Sequence, residues 1–253
     1  MIAVTTPTLL ALTAVAGVAG FVDAIAGGGG LLCLPALLLA GLPPQLALGT
    51  NKGQAVFGSG AALARFSRSP LLDRGRAGVG FAAGFAGALL GSRVVLRVPA
   101  KSLEPVVVVA LVVVAIFLLL RRPAAARRAA PRSRPVWLAL AVAAVIGVYD
   151  GLFGPGTGTF LIMIYAWLWS ESLTAASANA KVVNFASNLA ALLGFAVGGA
   201  VFWPVALPMA AAQLTGGWLG AHLTLRSGEG LVRRLAIVVS LALVVRLVWV
   251  WAH

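Results

Sequence analysis

The chain has 253 residues, 61% of them hydrophobic and only 10% charged, with a mean hydropathy of +1.02. Soluble domains carry roughly 25% charged residues, so this composition excludes a water-soluble fold and points to a polytopic, all-α membrane protein. The formal charge of +13 would suggest nucleic acid in a soluble protein. Here the arginines fall between apolar runs, where they read as cytoplasmic loops and contacts with anionic lipid, and no nucleic-acid partner is expected.

Apolar runs recur along the whole chain, many of about 18 or more residues, the length that crosses a hydrocarbon core of about 30 Å. No positive region precedes the first, so no cleaved signal peptide is expected. In chain order the segments run roughly 8–26 with 31–41, then 45–64, 77–96 and 103–120, and then 136–153 with 158–169, 172–197, 203–225 and 231–251. Glycines interrupt 8–41 and 136–169, and each of these counts as one broken segment, eight segments in all. The stretch "RRPAAARRAAPRSRP" at 121–135 reads as an Arg/Pro/Ala-rich cytoplasmic linker. It separates a first transmembrane repeat, 1–120, from a second, 136–253.

The two sets are copies. "GFVDAIAGGGG" at 20–30 lies over "GVYDGLFGPGT" at 147–157, matching Asp23 to Asp150, Gly27 to Gly154 and Gly29 to Gly156. After a two-residue insertion, "TNKGQAVFGS" at 50–59 lies over "NAKVVNFASN" at 179–188, and "GALLGSRVVLR" at 87–97 over "GGWLGAHLTLR" at 216–226. Three coincidences in one register indicate an internal duplication, a frequent feature of transporters. If the broken segments dip in and return, each half adds three crossings and the arginine loops fall on one side. That predicts an inverted repeat with both termini outside.

Glycines break a helix, because each costs about 1 kcal/mol relative to Ala. Within a membrane a break is tolerated only where the freed backbone is buried in protein or lines a wet cavity. The half-helices would begin near Gly30 and Thr157, where bare N–H groups and the helix dipole favour an anion. Gly27, Gly28, Gly29 and Gly30 in one half, with Gly154 and Gly156 in the other, would let a ligand reach the backbone.

Lys52 and Lys181 lie inside apolar segments, where a lysine costs about 2.5–3.5 kcal/mol on insertion scales. Asn51 and Gln54 accompany the first, and Asn179, Asn184 and Asn188 the second. Together these residues form a candidate anion-binding set. The competing role is a structural one, each lysine neutralising Asp23 or Asp150. The two aspartates are also candidate proton carriers, the alternatives being ion pairing and capping at the break. Glu171, beside Ser170 and Ser172, reads as solvated. The glycines at 80, 84, 87 and 91 and at 216 and 220 have the spacing of close helix packing. The lone Cys33 excludes an internal disulfide and a cysteine-based metal cluster, and the distant His222 and His253 give no ligand spacing. No metal and no cofactor is expected.

"GFVDAIAGGGGLL", "TNK" at 50–52 and "YDGLFGPGTGTF" resemble the TauE/SafE sulfite-exporter family, above all its branch of unassigned membrane transporters. The likeness runs over nearly the whole chain, although "GPGTG" at 154–158 is a looser match than the first signature. The resemblance implies a multi-pass secondary transporter of the bacterial inner membrane. It also implies a small anionic substrate such as sulfite, an organosulfonate or a carboxylate. The family's glycine signatures map to Gly27–Gly30, Gly154 and Gly156, and its lysine segments to Lys52 and Lys181. The leading expectation is therefore alternating access about a site between the repeats; the alternative is a passive anion channel. An enzyme is disfavoured, since no catalytic set of carboxylates, Ser-His-Asp or metal ligands is found. Homo-oligomerisation is left open.

Overall fold

The computed structural model describes residues 4–120 and 134–252, without the side chains of 115, 117–120 and 228–252. The expected linker therefore lies outside the described residues except for Arg134 and Pro135. Among the described residues the chain forms nine helices and no strand. The first half contains α1 (Thr6–Ala26), α2 (Gly29–Leu39), α3 (Pro44–Phe66), α4 (Arg74–Val95) and α5 (Ala100–Leu120). The second contains α6 (Val136–Leu152), α7 (Thr157–Leu168), α8 (Leu173–Val197) and α9 (Trp203–Ala252).

By length and composition, α1, α4 and α8 can each cross a membrane, and α2, α6 and α7 are shorter apolar helices. This pattern is consistent with a polytopic membrane protein. Helix α3 is equally long but less apolar, because Thr50, Asn51, Lys52, Gln54 and Ser59 are all buried inside the protein. One expectation fails. Segments 203–225 and 231–251 are not two helices but one, α9, so the second half adds two helices after its break, not three. The reason lies in the repeat: Pro99, just before α5, aligns with Gly228, and a glycine costs a helix only about 1 kcal/mol where a proline costs about 3.

Side-chain caps close several helix starts. Thr5 accepts from Thr8 N–H, Asp73 from Arg76 N–H and Ser172 from Ala175 N–H. In the two break helices the N-cap residue itself has no capping side chain. These N-caps are Gly28 and Gly156, at φ +90° and +79°, a conformation open to glycine; at α2 the Asp23 carboxylate takes the first N–H, that of Gly29. Gly28 therefore holds the place of Gly156, not Gly29 as the alignment suggests, since one of the two inserted residues falls in the break.

The packing repeats with the sequence. Gly87 and Gly91 of α4 press on the carbonyls of Ala144 and Val148 in α6; Gly216 and Gly220 of α9 press on those of Gly17 and Phe21 in α1. The fourth helix of each half thus packs on the first helix of the other. Contacts also fix directions. Gly49, Gly53 and Gly58 of α3 meet Ala200, Ala206 and Gln213 in turn, so α3 and α9 run the same way. By the same reading α1 runs with α9, and α6 and α8 run with α4. Against this, Gly49, Lys52 and Gly60 of α3 meet Phe195, Asn188 and Phe185 of α8, in reverse order. Helix α2 turns back along α1, sharing a core in which Leu12, Ala16 and Ala19 join Cys33, Leu34 and Leu37.

Candidate functional site

The two breaks meet. A Cβ on Gly27 would fall inside the backbone of Gly158 and Thr159, while one on Gly30 would rest 3.5 Å from Pro155 Cα and 3.6 Å from Asn51 Nδ2. Thr159 Oγ1 donates to Ala26 O (3.0 Å), and Tyr149 Oη donates to Pro155 O (2.6 Å), fixing both breaks from the side. A small polar cavity lies where they join.

Each lysine crosses to the aspartate of the other half. Lys52 Nζ donates to Asp150 Oδ1 (2.7 Å) and to Asn188 Oδ1 (3.0 Å). Lys181 Nζ donates to Asp23 Oδ2 (2.8 Å), to Asp23 O (2.7 Å) and to Asn184 Oδ1 (3.4 Å). The repeat register converts one pair into the other. Lys52, Lys181 and Asp150 are about 1% exposed, so neither lysine stands as free charge. Removing one partner of a pair this deep costs about 3–5 kcal/mol, because the other charge is left buried and alone.

Of the residues singled out in the sequence, Gly28, Gly30, Asn51, Lys52, Gly154, Gly156, Thr157, Asn184 and Asn188 line the cavity, with Asp23 and Asp150. The others stand off. Gly27 packs on α7, and Gly29 donates its N–H to Asp23 Oδ1 (3.2 Å). Gln54 sits behind Asn51, donating to its Oδ1 (2.9 Å). Lys181 is held by Asp23, which lines the cavity where Lys181 does not.

Asn179 belongs to a different cluster. It accepts from Asp73 N–H (2.8 Å) and donates to Leu71 O (3.3 Å) and Glu171 Oε2 (3.1 Å). Arg76 pairs there with Asp73 (2.6 Å) and with Glu171, its guanidinium carbon 4.8 Å from the Trp169 ring centre. Glu171 is thus ion-paired and largely buried rather than solvated. Burial pushes the Asp73 carboxyl up, but hydrogen bonds from the Arg76 side chain and backbone outweigh this and hold it below its ordinary value.

Three lining residues were not foreseen: Ala55, Gly158 and Gln213. Gln213 left a signal, a lone amide in "ALPMAAAQLTGG", within a helix that the glycine spacing marked only for packing.

Comparison with known proteins agrees with this class of architecture, an all-helical membrane protein with a polar centre. The family described as sulfite exporter TauE/SafE matches residues 12–247, and the chain belongs to that family. It is 36% identical over 240 residues to "Probable membrane transporter protein ORF9" of Sinorhizobium sp, covering 94% of this chain and 92% of that one. A "Probable membrane transporter protein" of Haemophilus influenzae is 34% identical over 247 residues, covering 97% of each. "Probable membrane transporter protein YfcA" of Escherichia coli strain K12 is 35% identical over 235 residues, covering 93% of this chain and 87% of that one. No solved structure matches.

Proposed function

We propose that the chain is a secondary transporter of the bacterial inner membrane that moves a small anion of the sulfite, organosulfonate or carboxylate type. The observation that carries this reading is the meeting of two helix N-termini, each with a glycine N-cap, around a cavity lined by Lys52 and Asn51. Backbone N–H groups and amides there can take the place of an anion's hydration shell. The names of the family and of its relatives point the same way.

The repeat is read as inverted. Support comes from the helix directions, since α1, α3 and α9 run together and opposite to their equivalents' set of α4, α6 and α8. Such halves exchange places by rocking about a shared site, which gives alternating access. Asp23 and Asp150 are the groups that can carry a coupling proton.

Two measurements test the proposal. Thermal denaturation of the purified chain with sulfite, thiosulfate, sulfoacetate or acetate should show a specific rise for one class, by mass action. Proteoliposomes should then accumulate that anion uphill under an imposed ion gradient. Binding by none of the four would overturn the reading, and fast flux that never exceeds equilibrium would replace it with a passive channel.

A further inference from the structure

The two lysine–aspartate pairs differ in what they leave bare. Asp23 is fully engaged, with Oδ1 accepting from Gly29 N–H and Oδ2 from Lys181. Asp150 concentrates its bonds on one oxygen: Oδ1 accepts from Lys52 (2.7 Å) and from Thr157 Oγ1 (2.8 Å). Its Oδ2 is buried and has no partner among the described residues. Gln213 Oε1 is the other bare, buried acceptor on the cavity wall. A site built for an anion alone would not leave two acceptors empty.

Charge explains the mismatch. Two ammonium groups and two carboxylates cancel, so a monoanion entering by itself brings an uncompensated charge into buried surroundings. A cation arriving with it removes that penalty. A proton adds to Asp150 Oδ2 without breaking a bond, and it frees Lys52, which has an N–H to spare, to turn to the anion. At Asp23 the same proton would have to share an oxygen with Lys181 or with Gly29 N–H.

The groups at Asp150 are Lys52 from α3 and Thr157 from α7, with Asp23 from α1 on the same cavity and Lys181 from α8 held behind it. Helix α4 packs on α6 there through Ala88 and glycines. Tyr149, its neighbour on α6, has its hydroxyl committed to Pro155 O. Resting on the transporter reading above, we infer that Asp150, and not Asp23, takes up one proton from bulk water with each monoanion, making transport of a monoanion electroneutral.

The first test needs no substrate. Infrared pH-difference spectra of the reconstituted chain should show a protonated carboxyl band in the wild type and in Asp23→Asn, and lose it in Asp150→Asn. The double variant Lys52→Met/Asp150→Asn, which leaves no unpaired charge, must lose it too and guards against misfolding. A band that survives in both Asp150 variants, or vanishes equally in Asp23→Asn, overturns the inference, as does a wild type with no such band.

The second test uses proteoliposomes holding a pH dye and given a gradient of ethanesulfonate, which stays a monoanion throughout. Protons should move with it, independent of membrane potential, and affinity should change by up to about tenfold per pH unit by linkage. Flux that follows the potential, or that needs sodium, overturns the inference. If no anion binds while the Asp150 band is present, the transporter reading fails and the protonation site stands.

Discussion

Lys52–Asp150 and Lys181–Asp23 are the same device made twice, yet their surroundings have diverged. Asn188, which holds Lys52, aligns with Ser59, whose hydroxyl bonds back to Ala55 O and Val56 O within its own helix. Gln213 on the cavity wall aligns with Gly84, which packs on Val183. Asp23 holds Lys181 with its carboxylate and its carbonyl, whereas Lys52 stays on the cavity wall. Under the proposed function, a symmetric scaffold carries one working pair and one latch.

The largest effect expected from breaking this arrangement comes at the junction that both pairs share. Gly27→Ala puts a side chain at φ +74° and inside the backbone of Gly158 and Thr159. It should cost about 4 kcal/mol or more and leave little monodisperse protein on size exclusion.

Lys52→Ala should cost about 3–5 kcal/mol in thermal or denaturant unfolding, since Asp150 is left buried and alone. Lys52→Met with Asp150→Asn should recover most of that stability and none of the transport. Recovery of transport in the double variant would make this pair a mere latch like the other.

Gly30→Ala sharpens the contrast. Its new methyl meets only ordinary contacts, 3.5 Å and beyond, so stability should change by no more than about 1 kcal/mol. The same methyl fills the cavity wall, and anion affinity should fall about tenfold, or 1.4 kcal/mol. Unchanged affinity would move the ligand elsewhere.

The smallest effect lies at the Arg76 cluster, away from both pairs. Asp73→Ala removes an N-cap and should cost about 0.5–2 kcal/mol. Because the Asp73 carboxyl is held below its ordinary value, its contribution is complete above the unfolded carboxylate range. It is lost as pH falls through the lowered folded value. The stability gap between variant and wild type should therefore close in acid.

Much of this was legible in the sequence because it is local. Helix ends follow from caps and glycines, and the breaks at Gly27–Gly28 and at Gly154–Gly156 fall within the glycine-rich stretches. The duplication was legible too, since alignment needs no coordinates. Pair partners were not. Asp23 could have met either lysine, and only the crossed packing of α4 on α6 and of α9 on α1 brings each aspartate to the other half's lysine. Asn179 misled because it shares a helix with Lys181; one half-turn separates a residue facing the centre from one facing Arg76. The continuity of α9 was not legible because the charged stretch around Arg226, Arg233 and Arg234 interrupts the apolar pattern without ending the helix.

The most direct test is equilibrium binding of radiolabelled sulfite to the purified chain at a fixed pH, set beside Gly30→Ala and Lys52→Met/Asp150→Asn. Saturable binding by the wild type, weakened about tenfold in the first variant and absent in the second, is the predicted result. Equal binding by all three proteins would contradict a site at the meeting of the breaks.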